Sequence, residues 1–142
     1  MSAPPEVLRV VWGWIEKAEH DLKNAEHTLT LKEDCPFDTV CFHAQQCAEK
    51  YLKALLALHG IDFPKSHDLT ELHALLPVQV RSPIPSSDLA ELNPYAIETR
   101  YPGDWQPQNR QDAVQAVKLS KRIRDAAHRQ LPMSALQASK KD

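Results

Sequence analysis

Apolar residues recur along this chain at helical spacing, and no stretch alternates apolar and polar over the length of a strand. Val7, Val11, Trp14, Ala18, Leu22, Ala25 and Leu29 follow one another at intervals of three or four. That spacing places them on one face of a helix running from about Pro5 to Leu31. Pro5 suits a first helical position, and Glu6 suits the positive end of the helix dipole. Glu16, Lys23, Glu26 and His27 mark the opposite, wet face. A second helix is predicted from about Pro36 to His59, stopped by Gly60. One stripe of it is Val40, Ala44, Cys47, Tyr51, Ala54 and Leu58, widened by Cys41, Ala48, Leu52, Leu55 and Leu56. So broad an apolar surface predicts a helix at the centre of a bundle or under a second subunit. The remaining polar strip holds His43, Gln46, Lys50 and Lys53.

Shorter elements follow. After the loop GIDFPKS, the run HDLTELHALL predicts a short helix, with Asp68 and Glu71 at capping-box spacing. PVQVRSPIPSS reads as a loop, being rich in proline and serine. Another short helix is predicted from about Asp88 to Thr99, with Asp88 and Glu91 spaced as a box and a kink or break at Pro94. RYPGDWQPQ reads as irregular. The last helix is predicted from about Asn109, with Asp112 at its third position, to just before Pro132; its core stripe is Ala113, Ala116, Val117, Ile123 and Ala127. The reading is a single all-α domain over residues 5–131, with a flexible polar tail at 132–142.

Length adds a bound. A chain of 142 residues can bury a core large enough to need no disulfide or metal staple. Cys41 and Cys47 sit roughly 9 Å apart along one helix axis, too far to bridge. Reduced thiols in a cytoplasmic protein are therefore expected. No apolar run approaches membrane-spanning length, and the first residues lack the pattern of a secretory signal. With 17 Lys and Arg against 19 Asp and Glu, the net charge of −2 excludes a basic nucleic-acid coat. Yet residues 110–129 hold Arg110, Lys118, Lys121, Arg122, Arg124 and Arg129 against only Asp112 and Asp125. The last helix is thus a local basic surface on an acidic body, with its charges read as spread around the helix.

The chemistry on offer is limited. Three glycines leave no phosphate-cradling loop, and there is no nucleophile elbow. None of the seven histidines pairs at i,i+4 and no cysteines fall as C-x-x-C, so no metal and no cofactor are expected. Arg124 and His128 share a helix face, whereas Arg122 and His128 do not. An Arg with a His suits phosphodiester chemistry, the His moving protons and the Arg clamping charge. In ETRYPGDW, Arg100 beside Tyr101 offers a guanidinium fork next to an aromatic face, with Trp105 close in sequence, which suits a phosphate and a stacked base. His67 is expected at a helix N-terminus, where free amides can hold an anion.

Taken in order, FHAQQCAEKYLKALLALHG, FPKSHDLTELHALL, LNPYAIETRYPGD and a terminal basic helix resemble the HEPN family (higher eukaryotes and prokaryotes nucleotide-binding), over about residues 8–130. The resemblance implies an antiparallel up-and-down bundle of four to five helices, usually a homodimer. It implies a nucleotidyltransferase as partner in a toxin–antitoxin-like pair, and a nucleotide or RNA as ligand. The matching positions are Gln46, Glu49, Lys50, Lys53, His67, Asp68, Arg100, Tyr101 and Pro102. Of these, Lys50, Lys53, His67, Arg100 and Tyr101 are expected to line a phosphate-binding cleft. Other branches are metal-independent ribonucleases with an Arg and a His four to six residues apart in the last helix. Arg122 and His128 meet that spacing, although Ile123 stands where a polar residue is usual. Non-catalytic binding is the leading expectation, a ribonuclease using Arg122 and His128 the second, and a pure interaction protein the third.

Overall fold

The computed structural model describes residues 3–96 and 107–132. Its helices are α1 (Pro5–Leu29), α2 (Phe37–Leu58), α3 (Leu69–Ala74), α4 (Val78–Arg81), α5 (Ser86–Leu92) and α6 (Arg110–His128), with a 3₁₀ turn at Asn93–Ala96 between the last two. The chain is all-α. No described helix is long and apolar enough to cross a membrane.

α2 is the centre. It packs against α1, α3, α5, the 3₁₀ turn and α6. Nearly all of its predicted stripe is buried, Leu58 alone being half-exposed. On α1, Val11, Ala18, Leu22 and Ala25 face α2 as expected, but Ile15 takes the buried place expected of Trp14, which is half-exposed. Alanines line the contacts of the three long helices (Ala18, Ala25, Ala44, Ala48, Ala113, Ala116, Ala127), and small side chains let backbones approach. Ser120 on α6 donates directly to the Ala44 carbonyl on α2, 2.9 Å away.

The predicted ends follow their local chemistry. Gly60 adopts φ +67° after α2, and Ile61 N–H bonds the Leu56 carbonyl at 2.9 Å while Gly60 N–H bonds that of Ala57. This paired closure needs the left-handed conformation that glycine takes without steric cost. Asn109 and Asp112 form a reciprocal capping box at the start of α6.

Three local readings are corrected. The expected loop at 77–87 contains α4, a single turn stapled from outside. Arg81 donates to the carbonyls of Ala74 and Leu76, and Val80 and Ile84 plug the core. Asp88 is no cap. α5 begins two residues earlier, at Ser86, and Asp88 is buried inside it. At the start of α3, Asp68 accepts from Thr70 and Glu71 N–H, but the Glu71 side chain takes Ser66 Oγ instead of closing the box. The break at Pro94 is present, since α5 stops at Leu92 and Pro94 lies in the 3₁₀ turn.

All three cysteines are free and buried. Burial pushes the Cys41 and Cys47 thiols up to about 12, so both stay protonated and unreactive at neutral pH.

Candidate functional site

α2 places its polar residues on the side turned away from α6. Ala44, which meets α6, and Lys53 are nine residues apart, about half a turn around the helix. That side carries Gln46 and Lys53, both buried, and Lys50, whose side chain is 20% exposed, with α1 along one edge and the loop of Phe63 and His67 along the other.

Glu49 is the hub of this face. Its side chain is only 3% exposed. One carboxylate oxygen accepts from Lys53 Nζ at 3.0 Å, and the other meets His67 Nδ1 at 2.9 Å and Gln46 Nε2 at 3.3 Å. Gln46 also donates to Gln45, and Gln45 to the His67 carbonyl, which fixes the loop from its backbone. Lys53 is buried to a similar degree and lies 5.4 Å from the Trp14 ring and 5.8 Å from that of Phe63. The two rings meet edge to face at 6.1 Å. A half-dry ammonium between rings and a carboxylate is stabilised by both.

One turn away, buried Asp21 of α1 holds Lys50 on one oxygen and His43 Nδ1 on the other, the latter at 2.7 Å. Burial tends to raise the Asp21 carboxyl, but the hydrogen bonds and charges of His43 and Lys50 outweigh it and hold the group below the usual carboxylate range. A carboxyl depressed in the folded state contributes stability above its unfolded value. That contribution is lost as pH falls through the folded value. Asp21→Asn is therefore expected to flatten the acid limb of the stability curve below about pH 4, as read by denaturation midpoints against pH; an unchanged limb would mean that the pair carries no linkage.

Of the residues expected in a phosphate cleft, Lys53 and His67 thus share one carboxylate, and Lys50 stands beside them on the same helix face. Arg100 and Tyr101, like Pro102 and Trp105, lie outside the described residues. The expected anion site at the α3 N-terminus is not free. Leu69 N–H goes to Asn93, and those of Thr70 and Glu71 go to Asp68. α3 is also a helix of only six residues. His67 acts through its ring and Glu49 instead.

Arg122 and His128 occupy the other side of α2 and are turned to different partners. Arg122 grips buried Asp88 with two bonds, at 2.8 and 2.9 Å. His128 Nε2 meets the Tyr51 hydroxyl at 2.9 Å, and Tyr51 donates to Glu19. The hydroxyl has one proton and gives it to Glu19, so neutral His128 must donate from Nε2, leaving the lone pair on Nδ1. Burial holds His128 below its ordinary value, with Arg124 acting in the same direction against Glu19 and Asp125. The Tyr51 phenol is pushed up by burial and by Glu19. The Asp88 side chain is 7% exposed and Arg122 is half open. Arg122→Ala is expected to cost roughly 1–3 kcal/mol, less than a fully dry pair; a loss below ~0.5 kcal/mol in urea unfolding would show Asp88 hydrated after all.

Of the basic residues of α6, Arg110, Lys118, Arg122 and Arg129 are exposed, and Lys121 and Arg124 are half-buried. Arg110 is tied to the carbonyls of Leu29, Leu31 and Lys32 and stacks 5.0 Å over Phe37, so its role is structural. Lys121 pairs with Glu26.

Sequence reasoning missed Asp21, Glu19 and Asp88. Asp21 and Glu19 read as ordinary helix surface, and Asp88 as a cap. The one available signal was Asp21 standing beside Leu22 within the core stripe of α1. Among the described residues, no group of three His, Cys, Asp or Glu is arranged to hold a metal ion.

The chain resembles solved structures over most of its length. It is 31% identical to TT1696 from Thermus thermophilus, with a TM-score of 0.73 over 85% of this chain and 98% of that one. It is 27% identical to ST0689, an archaeal HEPN homologue, with a TM-score of 0.63 over 84% of this chain and 96% of that one. No curated protein matches it. The model of the HEPN domain matches residues 11–130, nearly the whole described bundle, and the chain belongs to the HEPN domain family.

Proposed function

We propose that this HEPN domain is a nucleotide- or RNA-binding module, acting as a homodimer with a nucleotidyltransferase partner in a toxin–antitoxin-like pair. The observation that carries the binding reading is the corner where α2 meets the Trp14–Phe63 ring pair. There, exposed Lys17 lies 5.9 Å and buried Lys53 5.4 Å from the Trp14 ring, and exposed His67 shares Glu49 with Lys53. Rings beside cationic groups suit a base and its phosphate. A phosphate reaches His67 directly, displaces Asp21 from Lys50, and meets Lys53 only through its field, because Lys53 is buried against Glu49. Arg100 and Tyr101 complete the cleft in this reading, carried over from the family pattern.

The test is fluorescence anisotropy with a labelled ATP analogue and a single-stranded RNA at low salt. Binding is expected to weaken with salt and to fall about tenfold, or 1.4 kcal/mol, in His67→Ala and in Arg100→Ala, at unchanged melting temperature. No binding to either probe, or a change in stability alone, would overturn the reading.

The ribonuclease reading has one observation in its favour. Burial favours neutral His128, and the Tyr51–Glu19 pair fixes its Nε2 proton so that the lone pair sits on Nδ1, as a general base for the RNA 2′-OH requires. Against it, Arg122 is committed to Asp88 and lies apart from His128. Equal RNA cleavage by the wild type and His128→Ala is the outcome expected from non-catalytic binding.

A further inference from the structure

Two of the seven histidines, His43 and His67, have Nδ1 held by a buried carboxylate, and His67 is the more exposed of the two. Its side chain is 67% exposed, while that of Glu49, which grips Nδ1, is 3% exposed. A carboxylate acceptor requires that Nδ1 carry the proton, so in the neutral ring the lone pair sits on Nε2. No other described group bonds this ring, and Nε2 is left to the open side. The Gln45 bond to the His67 carbonyl, 2.9 Å, fixes the backbone that carries it. A buried carboxylate behind an accessible imidazole fixes the tautomer and the ring orientation, so that the far nitrogen is presented as the nucleophile.

The geometry points to His67 Nε2 as the acceptor of a phosphoryl group from a small activated donor of the phosphoramidate class. The Nε2 lone pair forms the N–P bond while the donor's own P–N bond breaks. The donor nitrogen, already protonated, leaves as ammonia. Nothing is oxidised or reduced. The ring gains positive charge as its lone pair is committed, and the Nδ1 proton stays on the bond to Glu49, whose carboxylate faces that charge. Lys53 on the second oxygen offsets the negative charge of Glu49, so the corner does not repel an anionic donor. The neighbouring Asp68 carboxylate is turned to the amides of Thr70 and Glu71. Histidine serves as a covalent nucleophile elsewhere when its far nitrogen is oriented in this manner.

This inference goes beyond the binding reading and does not rest on it, since labelling by a small donor needs no nucleotide. The full chain is incubated with potassium phosphoramidate at neutral pH, and acid-labile phosphohistidine is mapped by mass spectrometry over time. His20, His27 and His59 are exposed and meet no carboxylate among the described residues, so they serve as internal references. His67 is expected to be labelled at Nε2 about tenfold faster than any of them, and Glu49→Gln is expected to bring it down to their rate. Labelling of His67 at the reference rate in the wild type would overturn the inference, and this comparison needs no variant to fold. Undiminished labelling in a folded Glu49→Gln protein would overturn it as well.

Discussion

Lys53→Met is expected to lower the unfolding free energy by about 3–5 kcal/mol, the cost of leaving a buried carboxylate without its cation. Glu49 is bonded by Lys53 and by His67 of the loop, and its side chain is almost fully covered. Water cannot replace Lys53 there without opening the loop. For a chain of this size, that loss moves the thermal midpoint down on the order of 10 °C. The double variant Glu49→Met, Lys53→Met is expected to recover most of it, since two apolar side chains fill the same space without a stranded charge. Urea unfolding followed by circular dichroism measures both. A single-variant loss below ~1 kcal/mol would mean that the pair is wet, and the account of Glu49 as a dry hub would fall with it.

Leu55→Ala is expected to cost about 2–5 kcal/mol, through lost burial and the cavity left behind. Leu55 is fully buried on α2, where helices pack on several sides and none can collapse inward to fill the space. Val114→Ala on α6 makes the contrast. That residue is 49% exposed, and its truncation is expected to stay within ~0.5 kcal/mol. Similar losses at the two positions would show that α2 is not the centre of the bundle.

The three long helices were legible in the chain because each carries a signal that depends only on near neighbours. Spacing of three and four marked their core faces, Pro5 and the Asn109–Asp112 box marked starts, and Gly60 marked a stop. α4 was not legible. Its single turn has no intrinsic stability and exists because Arg81 and the buried Val80 and Ile84 hold it to the rest of the bundle. Asp88 misled for the same reason. Its distance to Glu91 matched a cap, but burial against Arg122 of α6 outweighed that local preference.

The site divides in the same way. That His43, Gln46, Lys50 and Lys53 form one strip of α2 follows from helical period alone. Whether those groups are open or satisfied depends on residues far along the chain: Asp21 meets Lys50 and His43, and His67 reaches back to Glu49 across 18 positions. Arg122 and His128 likewise have the right separation, yet Asp88 and Tyr51 draw them to different places.

By itself, then, the order of residues determined the helical class, the broad apolar surface of α2 and the family, because periodicity, caps and a run of motifs are properties of local sequence. Only the tertiary structure decided which charges are spent on one another and which face solvent. A buried carboxylate and its cation find each other through packing, and nothing in the spacing of either records the other's position.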